Sequence, residues 1–382
     1  MLTRFIRAVQ YFIFPRCVPV HLAGILIFAA SPLWAQTFDP TLTIGAGIQG
    51  SYEYMEPASG PSVDQFALDH LRLYFSGDIT KNLSAMVNAD YSSVTNTMEV
   101  VDAVGEFHDT PKFNVWFGRF VPPSDRDNYT GPFYANLWAM YHDGVQDGYP
   151  AVYQGRDNGI AYWGDFKAGV AKIKVSLGAF DGGSLGTGST QVLAAGRVQI
   201  DFWDPEGGYY LNSTYYGDKN LLAIAGATQE QNGNTATTVD FLMEKKVLNG
   251  GAFTIESEYS DYNRLGGYDS NYTKSQGAYG LVSFLFPKQI GIGKFEVLGK
   301  YAQAQFTKGI PLMGETPGVH PSYHQQTTDA EVGYIIKQFD ARVFAFGEHV
   351  GFNRVNTNYW MGGLGLQLQL SKQILRLKKV YS

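Results

Sequence analysis

Residues 41–54, TLTIGAGIQGSYEY, alternate almost without a break. Leu42, Ile44, Ala46, Ile48, Tyr52 and Tyr54 fall on one side, while Thr41, Thr43, Gln49, Ser51 and Glu53 fall on the other. A period of two is the mark of a β-strand with one apolar and one polar face. Similar segments recur along the chain at residues 68–79, 83–93, 98–108, 113–120, 159–163, 170–180, 194–203, 221–229, 237–245, 252–262, 275–286, 294–306, 327–337, 340–352 and 359–370. One strand alone does not say whether its apolar side meets lipid or a dry core. The number does: about 16 strands, mostly near ten residues each, is what a bacterial single-chain membrane barrel requires.

The connections give an independent test. With the N-terminus taken as periplasmic, short links (TKN, HDTPK, GDFKAG, KVLNGG, PKQIGIG, QF) alternate with longer ones at 55–67, 121–158, 181–193, 263–274 and 307–326. Short periplasmic turns and long outer loops are the barrel convention. The pattern holds only if DPEGGYYLNSTYYGDKN, residues 204–220, is one unusually long inner connection rather than a further strand. That reading keeps the strand count even and places both termini on the inner side.

Composition agrees without deciding. Gly 44, Tyr 25 and Phe 25 with 17% charged residues suit turns and interfacial aromatic girdles, but Tyr and Phe also favour strands in a soluble sandwich. The N-terminus weighs more. Arg4, Arg7 and Arg16 precede the apolar run CVPVHLAGILIFAA, and SPLWA offers a small residue, Ala35, before a cut. This predicts a secretory signal peptide over 1–35 that carries off the single cysteine, Cys17. The run at 17–30 is shorter than a membrane span needs and no later segment has 18 uninterrupted apolar residues, which disfavours a helical membrane protein. The barrel is then expected over 36–370, followed by a basic tail, SKQILRLKKVYS at 371–382, that either prolongs the last strand or hangs in the periplasm. Without the leader's three arginines, 29 Lys and Arg become 26 against 35 Asp and Glu. That balance argues against a nucleic-acid partner and, more weakly, against a lumen built to attract anions.

Between KFNVWFGRF and NGIAYWGDF lie roughly 35 residues rich in aromatics, Gly and Pro with no steady period, uncommon unless the segment is functional. Inside a large barrel such a loop folds back and narrows an otherwise open channel. Pro122, Pro123, Gly131, Pro132, Gly144, Gly148 and Pro150 supply bends, and Phe133, Tyr134, Trp138 and Tyr141 supply ring area to hold it on the inner wall.

Parity then assigns the pore charges. Arg72 lies on the polar face beside His70 and Tyr74, Lys172 and Lys174 on that of the seventh strand, and Arg197 on that of the eighth. Arg126 and Arg156 belong to the loop or its exit, and Arg119 ends the fifth strand with ambiguous parity. Ladders of such residues select anions. The loop adds Asp125, Asp127, Asp143 and Asp147, expected near the wall bases. Inward acids outnumber inward bases: Asp90, Asp102, Glu106, Asp201, Asp240, Glu244, Glu256, Glu258, Glu296, Asp329 and Glu331. For any one of them, the plain alternative is a charge that solvates a polar wall.

Several segments carry a resemblance: LDHLRLYFSGDITKNLSAMVNADY, the strand ending GRFVPP, AAGRVQIDFWDPEGGYY, YYGDKNLLAIAGA and the closing GLGLQLQL. Together they resemble the phosphate- and polyphosphate-selective porins (porins O and P) over most of the chain after the leader. The resemblance implies an all-β fold, a transmembrane antiparallel up-and-down barrel of 16 strands with an in-folded third outer loop. It further implies residence in the outer membrane, homotrimers, and passive diffusion of ions or small hydrophilic solutes; no cofactor is expected. Phosphate itself does not follow, because many members have no established substrate. Enzyme motifs such as HExxH and GxSxG are missing, and the histidines are scattered without metal-ligand spacing. The alternatives are a barrel hydrolase using Ser, His and Asn on the wall, and a conduit that sheaths a partner protein.

Overall fold

A computed structural model describes residues 40–92, 96–138, 142–145, 155–182, 192–247, 249–269, 272–307, 322–353 and 357–376. The leader, tail residues 377–382, and Tyr141, Asp147, Gly148 and Pro150 of the long loop lie outside the described residues.

Sixteen strands run in order. The first four are β1 (Thr41–Pro57), β2 (Val63–Asp78), β3 (Leu83–Ser92) and β4 (Thr97–Thr110). Next come β5 (Phe113–Phe120), β6 (Asp157–Ala168), β7 (Ala171–Phe180) and β8 (Leu193–Asp201). The second half comprises β9 (Leu221–Gln231), β10 (Asn234–Val247), β11 (Gly251–Asn263), β12 (Lys274–Ile290), β13 (Gly293–Thr307), β14 (Tyr323–Lys337), β15 (Ala341–Phe352) and β16 (Tyr359–Arg376). Each pairs antiparallel with its sequence neighbours and β1 pairs with β16, so the sheet closes into a barrel. Closure satisfies every strand's backbone where lipid offers no partner. No helix among the described residues is long and apolar enough to cross a membrane.

The expected parity is the observed one. Ile44, Val87, Val297, Val343, Leu366 and Leu368 are exposed, and Leu42, Val175, Ile200, Val239 and Phe241 are half-exposed on the same outward face. Alternating with them, Gln49, Asp240, Glu296, Arg342 and Gln367 are buried inside. An apolar exterior on a closed barrel of this size is built for an outer membrane.

Several boundaries move: β2 and β14 begin earlier than expected, at Val63 and Tyr323, and β12 runs on to Ile290. The GDFKAG link shrinks to two residues because Gly164–Ala168 continue β6 against β7. The last strand does not stop at Leu370: six tail residues extend it, and Arg376 is in register with Thr41. Residues 202–220 do form the single long inner connection. Its ends stay hairpin-like, with Phe202 N donating to Leu222 O and Asp204 N to Asn220 O.

The long outer loop holds one short helix, α1 (Arg126–Tyr134), where no regular element was expected. Asp125 caps it by accepting from Asn128 N at 2.8 Å. Gly131, at φ 59°, breaks the helix just before Pro132, which has no N–H to continue it.

Candidate functional site

The described part of the loop lies against inward-facing side chains. Arg197 on β8 donates to Ser124 O at 2.8 Å, and Tyr279 on β12 donates to Asp127 at 2.7 Å. Glu331 on β14 accepts from Trp138 N at 2.9 Å, while Gln325 on the same strand donates to His142 O at 2.6 Å. Arg342 on β15 donates to Ala135 O at 2.7 Å, Gln367 on β16 to Phe133 O at 3.1 Å, and Gln49 on β1 to Pro132 O at 3.0 Å. A backbone without a regular ladder is thus satisfied by polar side chains of the wall.

Two glycines make room for the loop's rings. A Cβ on Gly47 would sit 2.6 Å from the Phe133 ring, and one on Gly365 would sit 2.3 Å from Trp138. Phe133 also takes Arg72 over its face at 5.3 Å, and Trp138 packs against Phe344 and Phe346. Tyr134 rests on Phe339.

A second insertion enters from the other mouth. Arg126, fully buried, donates to both oxygens of Glu206 at 2.9 and 2.6 Å and to Asn212 O at 2.9 Å. Tyr209 donates to Val121 O at 2.8 Å, Leu211 N to Tyr129 O at 3.3 Å and Ser213 N to Tyr134 O at 3.1 Å. Tyr209 also stacks among Trp116, Phe120 and Tyr129, so the densest apolar core lies inside the barrel. The length of residues 202–220 is explained by this contact, which the sequence reading missed.

Apart from Lys172, each predicted pore base has a partner or a different place. Arg72 pairs with Asp90 at 2.5 Å, Arg156 with Asp102 at 3.3 Å, and Arg197 with Asp240. Arg197 reaches across β9 because that strand turns only alanines inward there, Ala223, Ala225 and Ala227. Lys174 donates to Gly208 O at 2.5 Å and so anchors the inner insertion. Lys172 is half-buried, in register with Asp201. Arg119 is corrected: it stands opposite Ala103 and Asn158 with the parity of exposed Phe117, not of inward Trp116 and Phe120.

The loop acids find other neighbours than expected. Asp125 caps α1, Asp127 meets Tyr279, and Asp143 binds Lys300 at 2.7 Å rather than any of the four wall bases named from sequence. Asp147 lies outside the described residues. The eleven inward acids were placed correctly, all but Glu106 being buried.

Several loop and insertion groups have displaced proton affinities, Glu206, Asp127 and His142 among them. Burial opposes the Glu206 charge, but Arg126 outweighs it and holds the carboxyl at about 2. Burial, then the Glu256 and Asp125 carboxylates, push Asp127 well above the ordinary carboxylate range. Burial lowers His142, yet Glu348 at 3.2 Å more than compensates and its pKa rises.

A closed sheet of sixteen antiparallel strands, polar within and apolar without, decides the architecture. Its fold is shared with solved porins. OmpF of Salmonella typhi, solved with daunomycin, is similar at TM-score 0.55 and 12% identity, over 86% of this chain and 97% of that one. OprB of Pseudomonas putida gives 0.55 at 8% identity, over 87% and 94%. An anion-selective porin from Comamonas acidovorans gives 0.53 at 12% identity, over 87% and 100%. No protein-family model and no curated protein matches the sequence. The sequence reading passed over Glu206, Lys300 and Arg342, and set Gln367 on the face opposite the last strand's leucines without giving it a role. Lys300 and Arg342 had a legible signal, since each alternates with outward residues (Gly299 and Tyr301, and Val343). Glu206 had none, being outside any strand.

Proposed function

We propose that the barrel is an outer-membrane channel for passive diffusion of small hydrophilic solutes, narrowed by the long outer loop and by the inner insertion that meets it. One observation carries this reading: a closed, polar-lined wall whose inward side chains hold the loop from β8 round to β1. Assembly as a homotrimer and export by a cleaved leader belong to the same proposal and rest on the resemblance and on the N-terminal sequence. Planar-bilayer recording tests it. The folded protein should conduct, and deletion of Ala135 to Gly148 should raise conductance; a folded protein that never conducts refutes the channel.

The finer reading, an anion such as phosphate, draws support from the family resemblance but little from charge. Buried carboxylates outnumber buried Arg and Lys more than twofold among the described residues, and the central arginines are bound to Asp90, Asp102, Glu206 and Asp240. A lumen of that balance favours cations. Reversal potential in a salt gradient reads the sign directly, and anion preference would restore the phosphate reading.

A second reading has one observation behind it. Ser84 Oγ lies 3.1 Å from His108 Nε2, and His108 Nδ1 lies 3.0 Å from Asn114 Oδ1, the arrangement a Ser–His–Asn hydrolase would use. Asn114 is oriented by donating to Pro111 O and Trp163 O. Against it, Glu106 accepts from the same Ser84 hydroxyl at 2.9 Å and contacts Nε2 at 3.1 Å, so it competes with His108 for the serine proton. Covalent labelling of Ser84 by a fluorophosphonate would support the hydrolase; an unlabelled serine removes it.

A further inference from the structure

Where α1 ends, the inner insertion and the wall of β11 and β12 enclose a cavity lined by Asp127, Asn136, Ser213, Glu256 and Leu281. Its free room is about 10 Å³, the scale of one water or one bare ion. Three separate stretches of chain therefore bring oxygen-bearing residues to one small cavity, which Ala135 and Leu137 also line. Two of those oxygens have no protein partner. Asn136 is 1% exposed and its Nδ2 donates to Ser283 Oγ at 2.9 Å, which leaves its Oδ1 unmatched. Glu256, 2% exposed, has Oε1 on Tyr279 while Oε2 is unmatched.

Charge sharpens the point. The Tyr279 hydroxyl lies 2.7 Å from Asp127 and 3.0 Å from Glu256, yet it has one proton and can donate to only one of them. The nearby cations have their closest partners elsewhere, Arg126 on Glu206, Arg197 on Asp240 and Lys300 on Asp143, although the Lys300 charge also acts on Asp127 and Glu256. Two adjacent buried carboxylates that face a single hydroxyl are costly.

We propose that Asp127, Glu256, Asn136 and Ser213 form a calcium site that ties the outer loop, the inner insertion and the barrel wall together. The donors are all hard oxygens, which suits Ca²⁺ or Mg²⁺ and not the metals that favour nitrogen or sulfur. Two carboxylates match a divalent charge. Contributions from three unrelated stretches give an irregular shell, which Ca²⁺ accepts and octahedral Mg²⁺ does not. The site does not depend on whether the barrel conducts.

Terbium(III), a luminescent stand-in for calcium, tests this in the detergent-folded full chain, because Tyr279 stands close enough to sensitise its emission. Expected is a saturable emission displaced by calcium, with affinity weakened at least about tenfold in Glu256→Gln and in Asn136→Ala, since even supporting partners of a metal site typically cost about 10–100-fold. Heat-modifiable electrophoretic mobility checks that each variant is folded, and Asn136→Ala stands in if Glu256→Gln is not. Emission that calcium does not displace, or titrations that both variants leave unchanged, would overturn the site. Absence of any saturable emission would do the same and leave a proton shared by Asp127 and Glu256.

Discussion

Arg126 and Glu206 come into the barrel from opposite mouths and meet in a two-bonded ion pair that is wholly shielded from solvent. Neither insertion is held by the wall alone. Glu206 also accepts from the Tyr215 hydroxyl at 2.6 Å and from Gln199 Nε2 at 2.8 Å, so the pair is the hub of the contact.

Removing one member of a buried pair costs about 3–5 kcal/mol, because the other charge is stranded. Glu206→Gln keeps the size and removes the charge. It should loosen both insertions, seen as faster amide exchange over residues 126–134 and higher single-channel conductance. If exchange and conductance both match the parent, the two segments do not hold one another.

Arg342 is the wall's counterpart to that hub. It donates to Ala135 O at 2.7 Å, to Gln367 at 2.7 Å and to the Tyr216 hydroxyl at 3.1 Å, thereby touching loop, wall and inner insertion together. Arg342→Met would leave those acceptors buried without a donor, at about 1–3 kcal/mol for each one not rehydrated. Limited proteolysis should then cut within 132–138 in a barrel that is still folded. Resistance equal to the parent would show that the loop's other bonds suffice.

Acid and alkali should undo different contacts. Glu206, held at about 2 against an ordinary 4.5, adds stability that is complete above 4.5 and disappears as pH falls through about 2. His142 is raised above 6.5 by Glu348, so its contribution is complete below 6.5 and fades as pH rises through the raised value. Glu206 and His142 together therefore anchor the loop best between 4.5 and 6.5. Channel noise should rise as pH leaves that window, and His142→Gln should reduce the change on the alkaline side, where Asp127 also loses its proton, while leaving the acid side as in the parent. A flat profile in the parent would exclude both groups as anchors.

On the lipid face, Val297 and Val343 are exposed on β13 and β15. An Arg at a mid-depth outward position costs about 2–4 kcal/mol of barrel stability, whereas one near the interface costs about 0–1. Urea unfolding of Val297→Arg in lipid vesicles should show the larger loss. A loss of the interfacial size would place Val297 away from mid-depth.

Much of the architecture was present in the sequence because a strand's side chains repeat every two residues, and burial of one face fixes their register. That rule put Asp240, Glu256 and Glu331 inside and Leu366 and Leu368 outside, and an even strand count made residues 204–220 an inner connection. Parity is a property of one strand, however, and says nothing of what stands across the lumen. Only the closed structure decided that Arg197 meets Asp240 over the alanines of β9, that Asp143 meets Lys300, and that Glu206 rises to Arg126. Arg119 shows the same limit at a strand's end, where few residues remain to fix the face. The charged ladder read as an anion track is thus largely neutralised within the protein, because desolvation inside a filled barrel makes an unpaired charge far more costly than a paired one.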